Sequence, residues 1–201
     1  MQGCIMAFYL CWITSWDQSA ESKEANDFVR IALANTDQRI QSGKSVSAGF
    51  LFATLLWPDL LSNWKRYRQR TFHIPALHDA MDETIASQSS GMVIQRRFES
   101  DMREIWSMQP RFEKRVGRYP YRLIESPRFR AGYDFMLLRC ATGEKSSSLG
   151  QWWTDFITAD PTGQEALMAS VKNETGNSTS PAKRRRRRKP KSAVPAEGAA
   201  D

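Results

Sequence analysis

Basic side chains that could hold phosphate groups are concentrated in two segments of the 201-residue chain. Residues 96–139 contain 11 basic and six acidic side chains, and residues 181–201 contain eight basic and two acidic ones. The remaining segments are nearly neutral or acidic, although the whole chain carries a formal net charge of +7. Because guanidinium groups form paired hydrogen bonds with phosphate oxygens, this distribution predicts an anionic partner. Nucleic acid is the leading candidate.

The second segment contains an unbroken basic run that is rich in arginine. We expect these side chains to contact RNA phosphates: Lys183, Arg184, Arg185, Arg186, Arg187, Arg188 and Lys189. Each released counterion would add affinity that depends on salt and not on sequence. The alternative is a solvated tail that only aids solubility or targeting. Apolar residues stop at about residue 171, so residues 171–201 are predicted to be a disordered basic tail.

The first segment supplies a second set of candidate RNA-binding residues: Arg96, Arg97, Arg111, Lys114, Arg115, Arg118, Arg122, Arg128 and Arg130. In one interpretation these side chains line a groove, and Tyr119 and Tyr121 stack on unpaired bases. In the other, they form an ordinary solvated helix face in which Asp101 or Glu104 pairs with neighbouring arginines. The charge balance leaves both interpretations open.

Helical periodicity of the apolar residues predicts the elements that position these side chains. Segments around Phe28, Phe50 and Met81 are predicted helices, and Pro58 is expected in the first turn of another. Residues 96–117 are predicted to form one amphipathic basic helix that ends at Gly117 and Pro120. Further helices are expected after Pro127 and around Trp152 and Trp153, the last one ending before Pro161.

These elements predict an all-α fold, since no alternating run with hairpin signals occurs. We expect three regions: an N-terminal segment at 1–23, a bundle-like helical RNA-binding domain at 24–170, and the tail at 171–201. Trp106, Phe112, Phe129 and Tyr133 have helical spacing and are expected in the core.

Catalytic and metal-binding residues are not predicted. Gly43-Lys44-Ser45 lacks the first glycine and the strand of a phosphate-binding loop. His73 and His78 are five residues apart with no cysteine near, which does not suit a metal site. Cys140 has no evident base partner. With three cysteines and no long apolar stretch, a soluble cytoplasmic protein without membrane contact is expected.

Several motifs resemble the C-terminal half of the bacterial poly(A) polymerase family. The most specific is Glu125-Ser126-Pro127-Arg128-Phe129-Arg130-Ala131-Gly132-Tyr133-Asp134-Phe135, followed by Leu138-Arg139. The others are Ala48-Gly49-Phe50-Leu51-Phe52-Ala53, Leu55-Leu56-Trp57, Arg103-Glu104-Ile105-Trp106, Gln109-Pro110-Arg111-Phe112-Glu113, Gly117-Arg118, Trp152-Trp153 and the closing arginine run. The resemblance covers residues 24–190 in a single order.

The resemblance implies a part in RNA 3′-end polyadenylation, in which ATP and Mg²⁺ are bound by an N-terminal nucleotidyltransferase head. It also implies that residues 24–170 are the RNA-binding neck and body that follow this head, with a divergent segment at 1–23. The chain contains no Gly-Ser dipeptide and no Asp-x-Asp pair, which the head of the family carries. We therefore expect no cofactor and no catalytic residue on this chain, and no activity from it alone.

The expected partners are RNA and a separately encoded nucleotidyltransferase head. Two alternatives remain: a stand-alone RNA-binding adaptor module, and a fragment of a tRNA CCA-adding relative. The arginine run and residues 125–139 favour the polymerase branch over the CCA-adding one.

Overall fold

The computed structural model describes residues 20–43, 45–88 and 94–176, with side chains described from residue 27 to residue 172. These residues form nine α-helices and one short 3₁₀ helix, Gln109–Arg111, with no strand among them. The all-α prediction is confirmed. The helices are α1 (Ala20–Gln41), α2 (Ala48–Leu55), α3 (Trp57–Tyr67), α4 (His73–Gln88), α5 (Arg96–Met108), α6 (Tyr119–Ile124), α7 (Phe129–Ala141), α8 (Ser147–Thr158) and α9 (Pro161–Gly176). The first 19 residues and the arginine run lie outside the described residues.

Local sequence signals account for several helix boundaries. Ser47 caps α2, where its hydroxyl accepts a hydrogen bond from the backbone N–H of Phe50. Gly43, with a φ of 70°, follows the end of α1. Pro58 lies in the first turn of α3, where the missing N–H leaves no helical hydrogen bond unmade.

The predicted basic helix of residues 96–117 is wrong in its second half. Helix α5 ends at Met108, and the chain tightens into the 3₁₀ turn that contains Pro110. Gly117, with a φ of 66°, lies in the following loop and does not end a helix. Pro120 begins α6, because a proline ring is compatible with the first turn of a helix but not with its interior.

The end of the predicted helical body also differs. Helix α8 is not the last helix, because α9 begins at Pro161 and runs to Gly176, into the predicted tail. Val171 is buried, and Leu167 and Met168 pack against the same cluster of apolar residues. Their spacing places the three side chains on one side of α9, which anchors the helix.

Two apolar clusters form the core, and α7 contributes to both. Phe135 of α7 packs edge-on against Phe28, Phe50 and Trp57 in the first cluster, with ring centroids 5.0–6.1 Å apart. The second cluster contains three other α7 side chains and two aromatic side chains of α8: Phe129, Tyr133, Met136, Trp153 and Phe156. Trp106, Phe112, Phe129 and Tyr133 are buried, as expected. Helix α7 is buried on most of its sides because it lies between the clusters.

A buried polar network joins these clusters. Arg139 is only 3% exposed, and its guanidinium donates hydrogen bonds to Glu144 and, at 3.1 Å, to Oε1 of Gln109. The Gln109 amide in turn donates to the carbonyl oxygens of Ile105 at 3.0 Å and Gly132 at 3.2 Å. The buried charge is thus paired, which is the usual condition for placing a cation in a protein interior.

Candidate nucleic-acid interface

Residues 111–122, here called the basic loop, run from the last residue of the 3₁₀ turn into the first turn of α6. Phe112 is fully buried, and Pro120 is buried as well. The basic residues of the loop alternate with these anchors: Arg111, Lys114, Arg118 and Arg122 are exposed, and Arg115 is half-buried. The apolar positions therefore direct the basic side chains towards solvent.

The backbone of the basic loop is held in place by α8. The indole N–H of Trp153 donates to the carbonyl oxygen of Phe112 at 2.9 Å, and the two rings pack edge-on at 5.1 Å. Phe129 of α7 lies on the other side, 6.1 Å from the Phe112 ring. A loop fixed in this way presents its charges in a defined arrangement, which lowers the entropy lost when a ligand binds.

Positive charge in the basic loop is almost entirely uncompensated. Its single acid, Glu113, pairs with Lys145 outside the loop. Among the described residues, Arg111, Arg118 and Arg122 form no ion pair. Exposed basic groups without acidic partners attract anions. The basic loop contains five of the nine candidate RNA-binding residues of the mid-chain segment.

Aromatic rings accompany these charges. Tyr119 is 55% exposed, and the ammonium group of Lys114 lies 5.2 Å from the centre of its ring. Arg115 lies over Trp152 at 5.7 Å. Tyr121, in contrast, is partly buried and packs on Phe156 at 5.5 Å. Of the two tyrosines expected to stack on bases, only Tyr119 therefore presents its ring to solvent.

Arg96 and Arg97 lie apart from the basic loop. They occupy the first turn of α5, whose 13 residues place them about 18 Å from Met108 at its other end. Both are exposed, and the guanidinium of Arg97 lies over Phe98 at 4.6 Å. The length of α5 thus separates Arg96 and Arg97 from the basic loop.

Arg128 and Arg130, at the start of α7, are engaged with acids. Nη2 of Arg128 lies 2.6 Å from Oδ1 of Asp101, and Nε of Arg130 lies 3.1 Å from Asp134. Asp101 thus pairs with an arginine of a different helix and not, as the alternative interpretation expected, with a neighbouring arginine on its own helix face. The remaining candidates, Lys183–Lys189, lie outside the described residues.

No alternative site emerges within the described residues. They contain no group of three or more metal-ligating side chains, and no helix among them is long and apolar enough to cross a bilayer. His73 and His78 are exposed, as expected. Burial raises the pKa of the Cys140 thiol, which donates to the carbonyl oxygen of Ser146, so the thiolate is disfavoured.

The fold and the basic loop define an all-helical domain with an uncompensated positive surface. A family described as Polymerase A arginine-rich C-terminus matches residues 69–191, which include the whole basic loop and the arginine run. The chain belongs to this family, and the resemblance to poly(A) polymerase is confirmed.

Comparison with curated proteins agrees. The chain is 34% identical over 172 residues to poly(A) polymerase I of Escherichia coli O157:H7, a match that covers 81% of this chain. It is 30% identical over 167 residues to the poly(A) polymerase I of Salmonella typhi, and 25% identical over 163 residues to that of Haemophilus influenzae. The chain spans about 35% of the length of these relatives.

Proposed function

We propose that this chain is the RNA-binding part of a poly(A) polymerase-like protein that acts in RNA 3′-end polyadenylation. The observation that carries the proposal is the basic loop, which holds five basic side chains on a backbone anchored by Phe112. Its fixed geometry suits contacts with successive phosphates of one strand.

The character of the loop favours RNA with unpaired bases. Tyr119 offers an exposed ring face beside the cation of Lys114, and aromatic rings stack on bases that are not already stacked in a duplex. Arg111, Arg118 and Arg122 supply guanidinium groups that are free of acidic partners among the described residues. In this proposal the basic run Lys183–Lys189 adds further phosphate contacts.

The phosphoryl-transfer chemistry is assigned to a separate nucleotidyltransferase head that binds ATP and Mg²⁺. The described residues of this chain contain no cluster of carboxylates arranged to hold metal ions. Two-metal chemistry needs such a cluster to stabilise the attacking and leaving oxygens. In this proposal the chain binds the RNA, and the head adds the adenylate residues.

An assay of adenylate addition tests whether this chain only binds RNA and the head performs the addition. The purified chain is incubated with labelled RNA, ATP and Mg²⁺, with and without a head domain expressed separately. We expect binding of RNA in both reactions and adenylate addition only when the head is present. Adenylate addition by the chain alone would contradict the assignment of the chemistry to the head. RNA binding without restored addition would favour an adaptor module, and absence of RNA binding would refute the proposal.

A further inference from the structure

An exposed aromatic side chain lies outside all the sites described above. Residues 68–72, here called the aromatic turn, connect α3 to α4. Phe72 is 87% exposed, the highest value for a large hydrophobic side chain among the described residues. Ile74, in the first turn of α4, is also exposed. A single exposed apolar side chain needs no explanation by itself, so the surroundings of Phe72 decide whether it has a role.

Hydrogen bonds hold the backbone of the aromatic turn, so Phe72 is exposed on a segment of defined conformation. The indole N–H of Trp64 donates to the carbonyl oxygen of His73 at 3.0 Å, and the two rings meet edge-on at 4.7 Å. The backbone N–H of Thr71 donates to Tyr67 at 3.0 Å. The carbonyl of Phe72 itself accepts from the N–H of Ala76 at 2.9 Å. These bonds fix the backbone on both sides of Phe72.

The charges around Phe72 are positive. Arg68 and Arg70 lie within the aromatic turn, which contains no acid. Arg70 forms no ion pair among the described residues, and the guanidinium of Arg68 lies 6.0 Å from the ring of Trp64. An aromatic ring flanked by unpaired cations resembles the basic loop, where Tyr119 lies beside Lys114. Both combine a stacking surface with phosphate-binding groups.

Contacts link the basic loop to the helix that leads into the aromatic turn. Glu113 of the basic loop pairs with Lys145, and the adjacent Glu144 accepts a hydrogen bond from the indole N–H of Trp57 in α3 at 2.9 Å. The aromatic turn directly follows α3. The pKa of His73 is lowered by partial burial of its ring and by the charge of Arg68, while Glu113 raises it and Lys145 lowers it.

We propose that Phe72 stacks on an unpaired base of an RNA strand that continues from the basic loop, with Arg68 and Arg70 holding the adjacent phosphates. This inference rests on the proposed RNA-binding function and adds a second contact to it. The occupant is a nucleobase because stacking needs only an exposed ring face, which Phe72 presents between two arginines. The neighbouring arginines match the charge of the backbone that carries the base.

A substitution pair tests the role of the ring. Phe72→Ala should weaken binding of a single-stranded oligoribonucleotide at least about fivefold, and Phe72→Trp should retain it. The control, Ile40→Ala, removes another exposed apolar side chain, 59% exposed on α1. It should change affinity by less than about twofold. Circular dichroism and thermal unfolding confirm that each variant folds.

Abasic RNA separates stacking from phosphate contact. A strand that has abasic sites along its whole length should bind the wild-type chain and Phe72→Ala equally, because the stacking partner is gone. A loss that persists on abasic RNA would overturn the inference, and so would wild-type affinity of Phe72→Ala for normal RNA. If Phe72→Ala instead abolishes self-association in sedimentation and leaves RNA affinity unchanged, the ring contacts a second copy. Failure of the wild-type chain to bind any RNA would instead refute the proposed function.

Discussion

Arg139 donates hydrogen bonds from Nε and Nη2 to the same carboxylate oxygen of Glu144, at 3.0 and 2.7 Å. The other Glu144 oxygen accepts from the indole N–H of Trp57 at 2.9 Å, and the guanidinium lies 4.7 Å from that ring. Through Gln109, the same cation reaches the turn that leads into the basic loop. The pair therefore links α3 and α7 to the start of the candidate interface.

Loss of the Glu144 charge should destabilise the fold. Glu144→Gln leaves the guanidinium of Arg139 buried without a counterion, and we expect the free energy of unfolding to fall by about 2 kcal/mol or more. Urea unfolding followed by circular dichroism measures the change. The control is Glu83→Gln, whose exposed pair with Arg66 should add little stability. Equal effects of the two substitutions would show that the Arg139 pair is not structural.

A methyl group at Gly49 should strain the contact between α2 and α5. A Cβ there would lie 2.6 Å from the Cβ of Asp101, the residue that pairs with Arg128. We expect Gly49→Ala to cost about 1–2 kcal/mol, because overpacking outweighs the gain in helix propensity. In the matched control, Gly150→Ala, the nearest atom is a terminal methyl of Leu137 at 3.1 Å, which can move. Thermal unfolding of both variants should show a loss only at Gly49.

The pKa of His73 should report the distance between the aromatic turn and the basic loop. The pKa of His73 in the folded chain lies below the ordinary histidine value. The unfolded chain therefore binds a proton more readily at this residue, and lowering the pH through the ordinary histidine pKa should reduce stability. Arg68→Gln removes a positive charge that lowers the His73 pKa, so the pKa should rise. Glu113→Gln removes a negative charge that raises the His73 pKa, so the pKa should fall. NMR titration of the imidazole protons measures both shifts.

The control for this titration is Glu125→Gln, which removes an exposed acid at the C-terminal end of α6. It should leave the His73 pKa where it is. An unchanged pKa in Glu113→Gln would place the aromatic turn away from the basic loop and remove the support for a continuous RNA surface.

Removal of residues 181–201 should weaken RNA binding for every RNA sequence. The deletion takes away eight basic side chains, so the dependence of affinity on salt should become shallower by about 0.7 per lost phosphate contact. Fluorescence anisotropy over a series of salt concentrations measures the slope. A chain whose tail is replaced by Gly and Ser at equal length controls for length, and an unchanged slope would exclude phosphate contacts by the tail.

Local signals in the sequence predicted the fold better than the site. Ser47, Gly43 and Pro58 act within a few residues, so the boundaries they set were foreseeable. Pro110 and Pro120 were misread because a proline either ends a helix or begins one, depending on where the chain packs. The burial of Phe112 decides this, and it depends on Trp153, 41 residues further along.

The partners of the arginines depend on tertiary structure in the same way. Arg128 meets Asp101 because α7 packs on α5, and no spacing in the sequence reveals that contact. Phe72 was not singled out because an isolated aromatic residue in a turn carries no periodic signal. The basic residues of the basic loop could be predicted as one group because they lie within 12 residues of each other in the sequence.

The central claim is that the basic loop holds RNA phosphates, and the salt dependence of binding tests it most directly. The variant Arg111→Gln/Arg118→Gln/Arg122→Gln is compared with Arg30→Gln/Arg39→Gln/Arg103→Gln, which loses the same net charge outside the basic loop. The slope of log affinity against log salt is negative, and we predict that it becomes shallower by about 2 in the loop variant and stays near the wild-type value in the control variant. Equal slopes for the two variants would contradict the account.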